Sequence, residues 1–224
     1  MTFFYRLLYL LASFFLRLFY RVELVGKPEA TDGPYIVCAN HLSALDMFFL
    51  AIGIKRQIFF FAKAEAFSLP FLGKAVKALG AIPVHRGEAD IHAIKSAVAV
   101  LKEEKLLGLF PQGTRLPGKA PSVEEAKSGI GLIAYRGHAG ILPAHIETKD
   151  YKIRLFRKVT VFFGEPIPYE SLGFENGNMA EFQSVPAGFS RKSANCPKKA
   201  GERSGHEHHR CQIRRFLFWC QTGL

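Results

Sequence analysis

The chain has 224 residues, 49% of them hydrophobic, which suits one sizeable α/β domain and excludes two comfortable ones. Thirty Lys and Arg against 19 Asp and Glu leave a net charge of +11, which favours anionic partners such as phosphate esters, nucleotides, acidic lipid surfaces or nucleic acid. The four cysteines, Cys38, Cys196, Cys211 and Cys220, form no secreted disulfide framework, and a reducing cytosolic environment is expected.

The N-terminus reads MTFFYRLLYLLASFFLRLFYRVELVG, and Arg6 and Arg17 bound an apolar stretch from Leu7 to Leu16 that is too short to span a bilayer. At about 100° per residue, Thr2, Arg6, Tyr9, Ser13, Arg17 and Tyr20 share one narrow sector, and the remaining surface is Phe and Leu. Such a helix can lie in the membrane interface with its arginines at the headgroups. No small-x-small cleavage pattern follows, which argues against a signal peptide. A first helix packed in the core and a tilted span are the competing readings, and peripheral attachment is the expectation.

From Tyr35 onward strands and helices alternate. Residues 35–39 (YIVCA) predict a strand, 44–53 a helix, 57–62 (QIFFFA) a strand, 67–79 a helix and 81–85 (AIPVH) a strand. An amphipathic helix follows, with Ile91, Ile94, Val98 and Leu101 on one face and Asp90 as its cap. Residues 106–110 predict a strand, 122–138 a helix, and 140–146 and 154–164 two further strands. The pattern predicts a single α/β domain, with a mostly parallel sheet flanked by helices on both faces.

Beyond residue 174 no period is sustained. Residues 185–224 carry eight Lys and Arg against two Glu, so they hold +6 of the net charge. Cys196, His206, His208, His209 and Cys211 lack zinc-ligand spacing, and no metal is expected. No interleaved aromatic pattern supports a nucleic-acid tail. The segment reads as a poorly ordered tail, or as a non-native terminus of the kind a shifted reading frame produces.

Three stretches carry chemistry. In ANHLSALD, His41 and Asp46 are five apart, so neither a helix nor a strand brings them together, and they meet only if the chain turns between them. Ser43 and Asp46 make the S-x-x-D pattern of a helix start, which would place His41 on a strand-to-helix turn with Asp46 reaching back. A carboxylate on one ring nitrogen fixes the tautomer and makes the other nitrogen a base for a hydroxyl proton, although the same spacing also fits a plain helix cap. In LFPQGTR, Gly113 allows close backbone approach, Thr114 offers a hydroxyl, and Arg115 a fork that matches a phosphate. GAIPVHRG repeats that logic at Arg86. No nucleotide P-loop occurs.

NHLSALD, KAEAFSLPFLGKAVKALGAIPVHRG, LFPQGTR and GILPAHI resemble, in order and spacing, the four motif blocks of the PlsC-type glycerolipid acyltransferases, over roughly residues 20–173. The resemblance implies transfer of a fatty acyl group from acyl-CoA or acyl-carrier protein, as co-substrate and without other cofactor, to lysophosphatidic acid to give phosphatidic acid. It implies His41 as catalytic base and Asp46 as its orienting carboxylate, with Arg86, Gly113, Thr114 and Arg115 binding the acceptor. Asn40, Lys63, Gln112 and Pro143 are accessory candidates by the same matching. The family more often has Glu where this chain has Gln112. Glycerol 3-phosphate, another lysophospholipid, or a catalytically silent lipid-binding role are the alternatives. The organisation expected is a membrane-associated helical segment at 1–24, an acyltransferase domain at 25–173 and a basic tail at 174–224, on the cytoplasmic face of the cell membrane, with no nucleic-acid partner.

Overall fold

The computed structural model describes residues 3–26, 28, 32–85, 90–121, 129–178, 181 and 182. The elements run α1 (Phe3–Phe19), β1 (Arg21–Val25), β2 (Tyr35–Cys38), α2 (Asp46–Gly53), β3 (Ile58–Lys63), α3 (Pro70–Ala78), β4 (Ile82–Val84), α4 (Ile91–Lys102), β5 (Leu106–Leu109), α5 (Gly129–Gly137), β6 (Gly140–Thr148) and β7 (Lys158–Phe163). The seven strands form one sheet in the order β1-β7-β6-β2-β5-β3-β4. Every pairing is parallel except that of β6 with β7.

The central strands are buried on both faces, which is why they read as unbroken apolar runs. Along β2, Ile36 and Cys38 point to a layer containing Ala97 and Leu101 of α4 and Ile130, Ile133 and Ala134 of α5. Val37 and Ala39 point the other way, to Phe49, Leu50 and Ile52 of α2 and Leu16 of α1. Asp90 caps α4 as expected, its Oδ1 accepting from the Ala93 N–H at 3.0 Å.

Several boundaries differ from the sequence reading. The helical segment expected to reach residue 24 ends at Phe19, because Arg21–Val25 pairs with β7 and joins the sheet. α2 starts at Asp46 rather than 44. The helix expected over 67–79 is a 3-10 turn, Ala64–Ser68, followed by α3, with Pro70 in its first turn. Of the helix expected over 122–138, residues 122–128 lie outside the described residues. The final strand begins at Lys158, not 154, since residues 149–157 make the β6–β7 connection. The core also extends past 174: Phe174 packs on Tyr135 and Phe182, and Phe182 is buried. The readings of residues 183–224 lie outside the described residues.

α1 lies against α2 with Tyr5 and Leu16 buried and the Tyr9 hydroxyl donating to the Ile52 carbonyl at 3.3 Å. Its polar sector is therefore turned partly onto the domain rather than wholly outward. The outward face carries Leu10, Phe14, Phe15 and Leu18, all exposed, with Arg6 and Arg17 exposed beside it. No helix among the described residues is long and apolar enough to cross a membrane.

Candidate active site

Because β2, β3, β4 and β5 are parallel, their C-terminal ends open on one edge of the sheet, where α/β folds bind ligands. The connection after β2 carries Asn40 and His41, that after β5 carries Gln112 to Arg115, and Lys63 ends β3. β2 and β5 are neighbours, so the His41 turn and the Gln112–Arg115 loop come side by side.

The chain between His41 and Asp46 does turn, and the side chains meet: His41 Nδ1 lies 2.7 Å from Asp46 Oδ2. The same oxygen accepts the backbone N–H groups of Leu42 at 2.6 Å and Ser43 at 2.8 Å. Asp46 is fully buried, and among the described residues its Oδ1 has no hydrogen-bond partner, so its charge is compensated through Oδ2. A carboxylate can only accept, which assigns the proton to His41 Nδ1 and leaves the lone pair on Nε2. Ser43 and Asp46 do not form a reciprocal capping box: the Ser43 hydroxyl accepts from the Leu45 N–H at 3.2 Å, and Leu45 occupies the cap position with no side-chain bond.

Three further anchors hold this turn. The His41 N–H donates to Gln112 Oε1 at 2.7 Å, and the His41 carbonyl accepts from the Leu116 N–H at 2.9 Å. Residues 113–115 are thereby suspended between two bonds to the His41 backbone. Asn40 is fully buried and clamps Ile146 of β6, its Nδ2 donating to the carbonyl at 2.9 Å and its Oδ1 accepting from the N–H at 2.7 Å. The side-chain amide replaces a strand partner where β2 has already ended. Pro143 sits inside β6 opposite Cys38, and its carbonyl accepts from Gly164, so its place is in the sheet.

The His41 ring, its side chain 11% exposed, lies flat on Phe110 with centroids 4.0 Å apart and planes 9° apart, and Phe110 stacks in turn on Phe60 at 5.8 Å. Gly108 makes room for this: a Cβ there would lie 2.0 Å from the Phe60 ring. No sequence signal marked Phe110 or Phe60 as supports of His41. Gly113, in the left-handed region at φ +66°, Thr114 and Arg115 are exposed at the mouth. Lys63 is exposed and paired with Glu65 at 2.8 Å. Arg86 lies outside the described residues.

A second His–Asp pair has the same spacing. His85 Nδ1 lies 3.3 Å from Asp90 Oδ2, but the His85 side chain is 80% exposed. Hydrogen bonds from the His85 and Ala93 backbone hold the Asp90 carboxyl down to about 2, which befits a helix cap. Burial, not spacing, separates the two pairs.

The fold and this edge define an α/β protein with a buried, carboxylate-oriented histidine beside a cationic loop. The family model described as Acyltransferase matches residues 21–147. The 1-acyl-sn-glycerol-3-phosphate acyltransferase of Bacillus subtilis is 32% identical over 139 residues, covering 61% of this chain and 68% of that protein. The protein of the same name from Streptococcus pneumoniae is 31% identical over 140 residues, covering 61% of this chain and 51% of its own length. A crystal structure of the 1-acyl-sn-glycerophosphate acyltransferase PlsC from Thermotoga maritima superposes with a TM-score of 0.62 at 24% identity, over 87% of this chain and 83% of that one, a likeness in fold. The chain belongs to the acyltransferase family, and its enzyme class is O-acyltransferase.

Proposed function

We propose that the protein transfers a fatty acyl group from acyl-CoA or acyl-carrier protein to the free hydroxyl of lysophosphatidic acid, giving phosphatidic acid. The observation that carries this reading is the buried His41–Asp46 pair, bonded through its backbone to the Gln112–Leu116 loop. Nε2 of His41 takes the hydroxyl proton as the oxygen attacks the thioester carbonyl carbon, and the Asp46 carboxylate stabilises the imidazolium. The C–S bond then breaks, and the proton passes to the departing thiolate. No acyl-enzyme is required. The Arg115 fork and the Thr114 hydroxyl suit the acceptor phosphate.

An apolar cavity of about 670 Å³, part of it open to solvent, shares Phe60 with the ring stack beneath His41. Tyr5 and Ser13 of α1, Met47 and Ile52 of α2, and Phe60 line it. Phe60 is one ring removed from the ring beneath His41, so the cavity suits an acyl chain whose head lies at the base. The exposed Leu and Phe face of α1 supports attachment to the membrane interface; the cytoplasmic side of that membrane is part of the proposal.

The test is a panel of acyl-CoA and acyl-carrier-protein donors against lysophosphatidate, glycerol 3-phosphate and other lysolipids, with products read by lipid mass spectrometry. Phosphatidate is the expected product, and His41→Ala is expected to lower turnover by about 10²–10⁴-fold while the protein stays folded. Absence of transfer from every donor, or full activity of His41→Ala, would overturn the proposal.

A further inference from the structure

The β6–β7 connection, residues 149–157, projects from the same edge of the sheet as His41, because β6 runs parallel to β2 and ends there. The Tyr151 carbonyl accepts from the Gly118 N–H at 2.8 Å, which ties this connection to the loop that carries Arg115. Lys149, Lys152, Arg154 and Arg157 surround a depression of about 280 Å³ whose one acidic lining residue is Asp150. All four cations are exposed, and among the described residues none forms an ion pair. At the tip stand Leu155, 58% exposed, and Phe156, 66% exposed.

A loop that merely joined two strands in water would not need such a tip. Phe156 is held at φ +61°, in the left-handed region that a bulky side chain avoids, by its N–H bond to the Phe19 carbonyl at 2.7 Å. Its ring meets Phe19 at 6.2 Å, and Phe19 stacks on Phe15, so its apolar surface continues onto the outward face of α1. The feature is an exposed apolar pair, Leu155 and Phe156, beside a shallow basin of four exposed cations that form no ion pair among the described residues. That shape and charge complement an anionic bilayer, where the apolar residues enter the interface and the cations meet headgroup phosphates.

We propose that the 149–157 connection is a second docking element, for an anionic lipid bilayer, which together with α1 sets the His41 edge against the membrane. The proposal rests on the membrane reading of α1 given above. It adds four cations for acidic lipid to the two that Arg6 and Arg17 place beside the Leu and Phe face of α1.

The experiment is co-sedimentation of the full chain with vesicles of phosphatidylcholine alone and of phosphatidylcholine mixed equally with phosphatidylglycerol. One variant joins Lys149→Gln, Lys152→Gln, Arg154→Gln and Arg157→Gln; a second joins Leu155→Ser and Phe156→Ser; a third, in α1, joins Leu10→Glu and Phe14→Glu. The charge variant is expected to lose about fivefold of the phosphatidylglycerol-dependent gain per cation at low salt, the share due to Arg6 and Arg17 of α1 remaining, with binding to neutral vesicles unchanged. The tip variant is expected to bind both vesicle types more weakly. With short-chain soluble acceptor and no vesicles, the charge variant is expected to keep wild-type kcat/KM. Wild-type vesicle binding by both hairpin variants overturns the proposal, and if the α1 variant then fails to bind, the α1 reading survives alone. A raised KM for acyl-CoA or acyl-carrier protein without vesicles would also overturn it, by assigning the cations to the donor. If only the hairpin variants lose binding, the hairpin stands and the α1 reading falls.

Discussion

Replacing Asp46 by Asn separates the charge of this side chain from its shape. Its Oδ2 takes three N–H donors, and an amide oxygen in that place still accepts from Leu42 and Ser43, so the turn has the means to persist. What is lost is the attraction between carboxylate and imidazolium. With charge centres about 4 Å apart and an effective dielectric of about 20, that attraction is about 4 kcal/mol. A neutral acceptor returns a part of it, which leaves a deficit of about 3 kcal/mol and a fall in kcat of about a hundredfold or more. The assay is thiol release from acyl-CoA with a saturating short-chain acceptor, with circular dichroism to show the variant folded. Turnover within about threefold of wild type, accompanied by a lower melting temperature, would show that Asp46 only closes the turn. The base assignment would then lose its support.

Gln112→Met removes the acceptor of the buried His41 N–H and is expected to cost about 1–3 kcal/mol in urea denaturation, with a fall in kcat. Gln112→Glu keeps an acceptor there and is expected to show unchanged or higher activity; a strong loss would mean that the site is tuned to the amide. Asn40→Ala leaves the Ile146 N–H and carbonyl without their partner and is expected to destabilise by about 2–4 kcal/mol, a figure that a loss below about 1 kcal/mol would refute. Burial lowers the His145 pKa to about 3, from 6.5. Below pH 6.5 the unfolded chain binds a proton that the folded chain excludes, so stability is lost as the pH falls toward 3, by about 2 kcal/mol between pH 7.5 and 5. His145→Gln is expected to remove that dependence, and an unchanged slope in urea titrations at the two pH values would contradict it.

Periodicity and composition were enough for the class of fold. The β2, β3, β5 and β6 runs are apolar because both faces of the sheet are covered, and α4 announced itself through its apolar stripe and Asp90 cap. β1 carries no strand pattern of its own, because it is an edge strand, largely exposed, whose identity comes from pairing with β7. In the sequence Leu155 and Phe156 read as residues of β7, whereas in the fold the Phe156 N–H bonds to the Phe19 carbonyl and both side chains are exposed.

The candidate site divides along the same line. Local spacing alone determined that His41 and Asp46 could meet on a turn, since reach over five residues is a property of the chain. The identical spacing at His85 and Asp90 produces a helix cap whose histidine is exposed. Only the tertiary structure decided which pair is buried, by setting Phe110 beneath His41, Gln112 on its N–H from 71 residues away, and Ile146 against Asn40 from 106 residues away. A base is made by the dielectric around it and by the groups that hold its carboxylate, and those come from strands that are neighbours in the sheet but distant in the sequence.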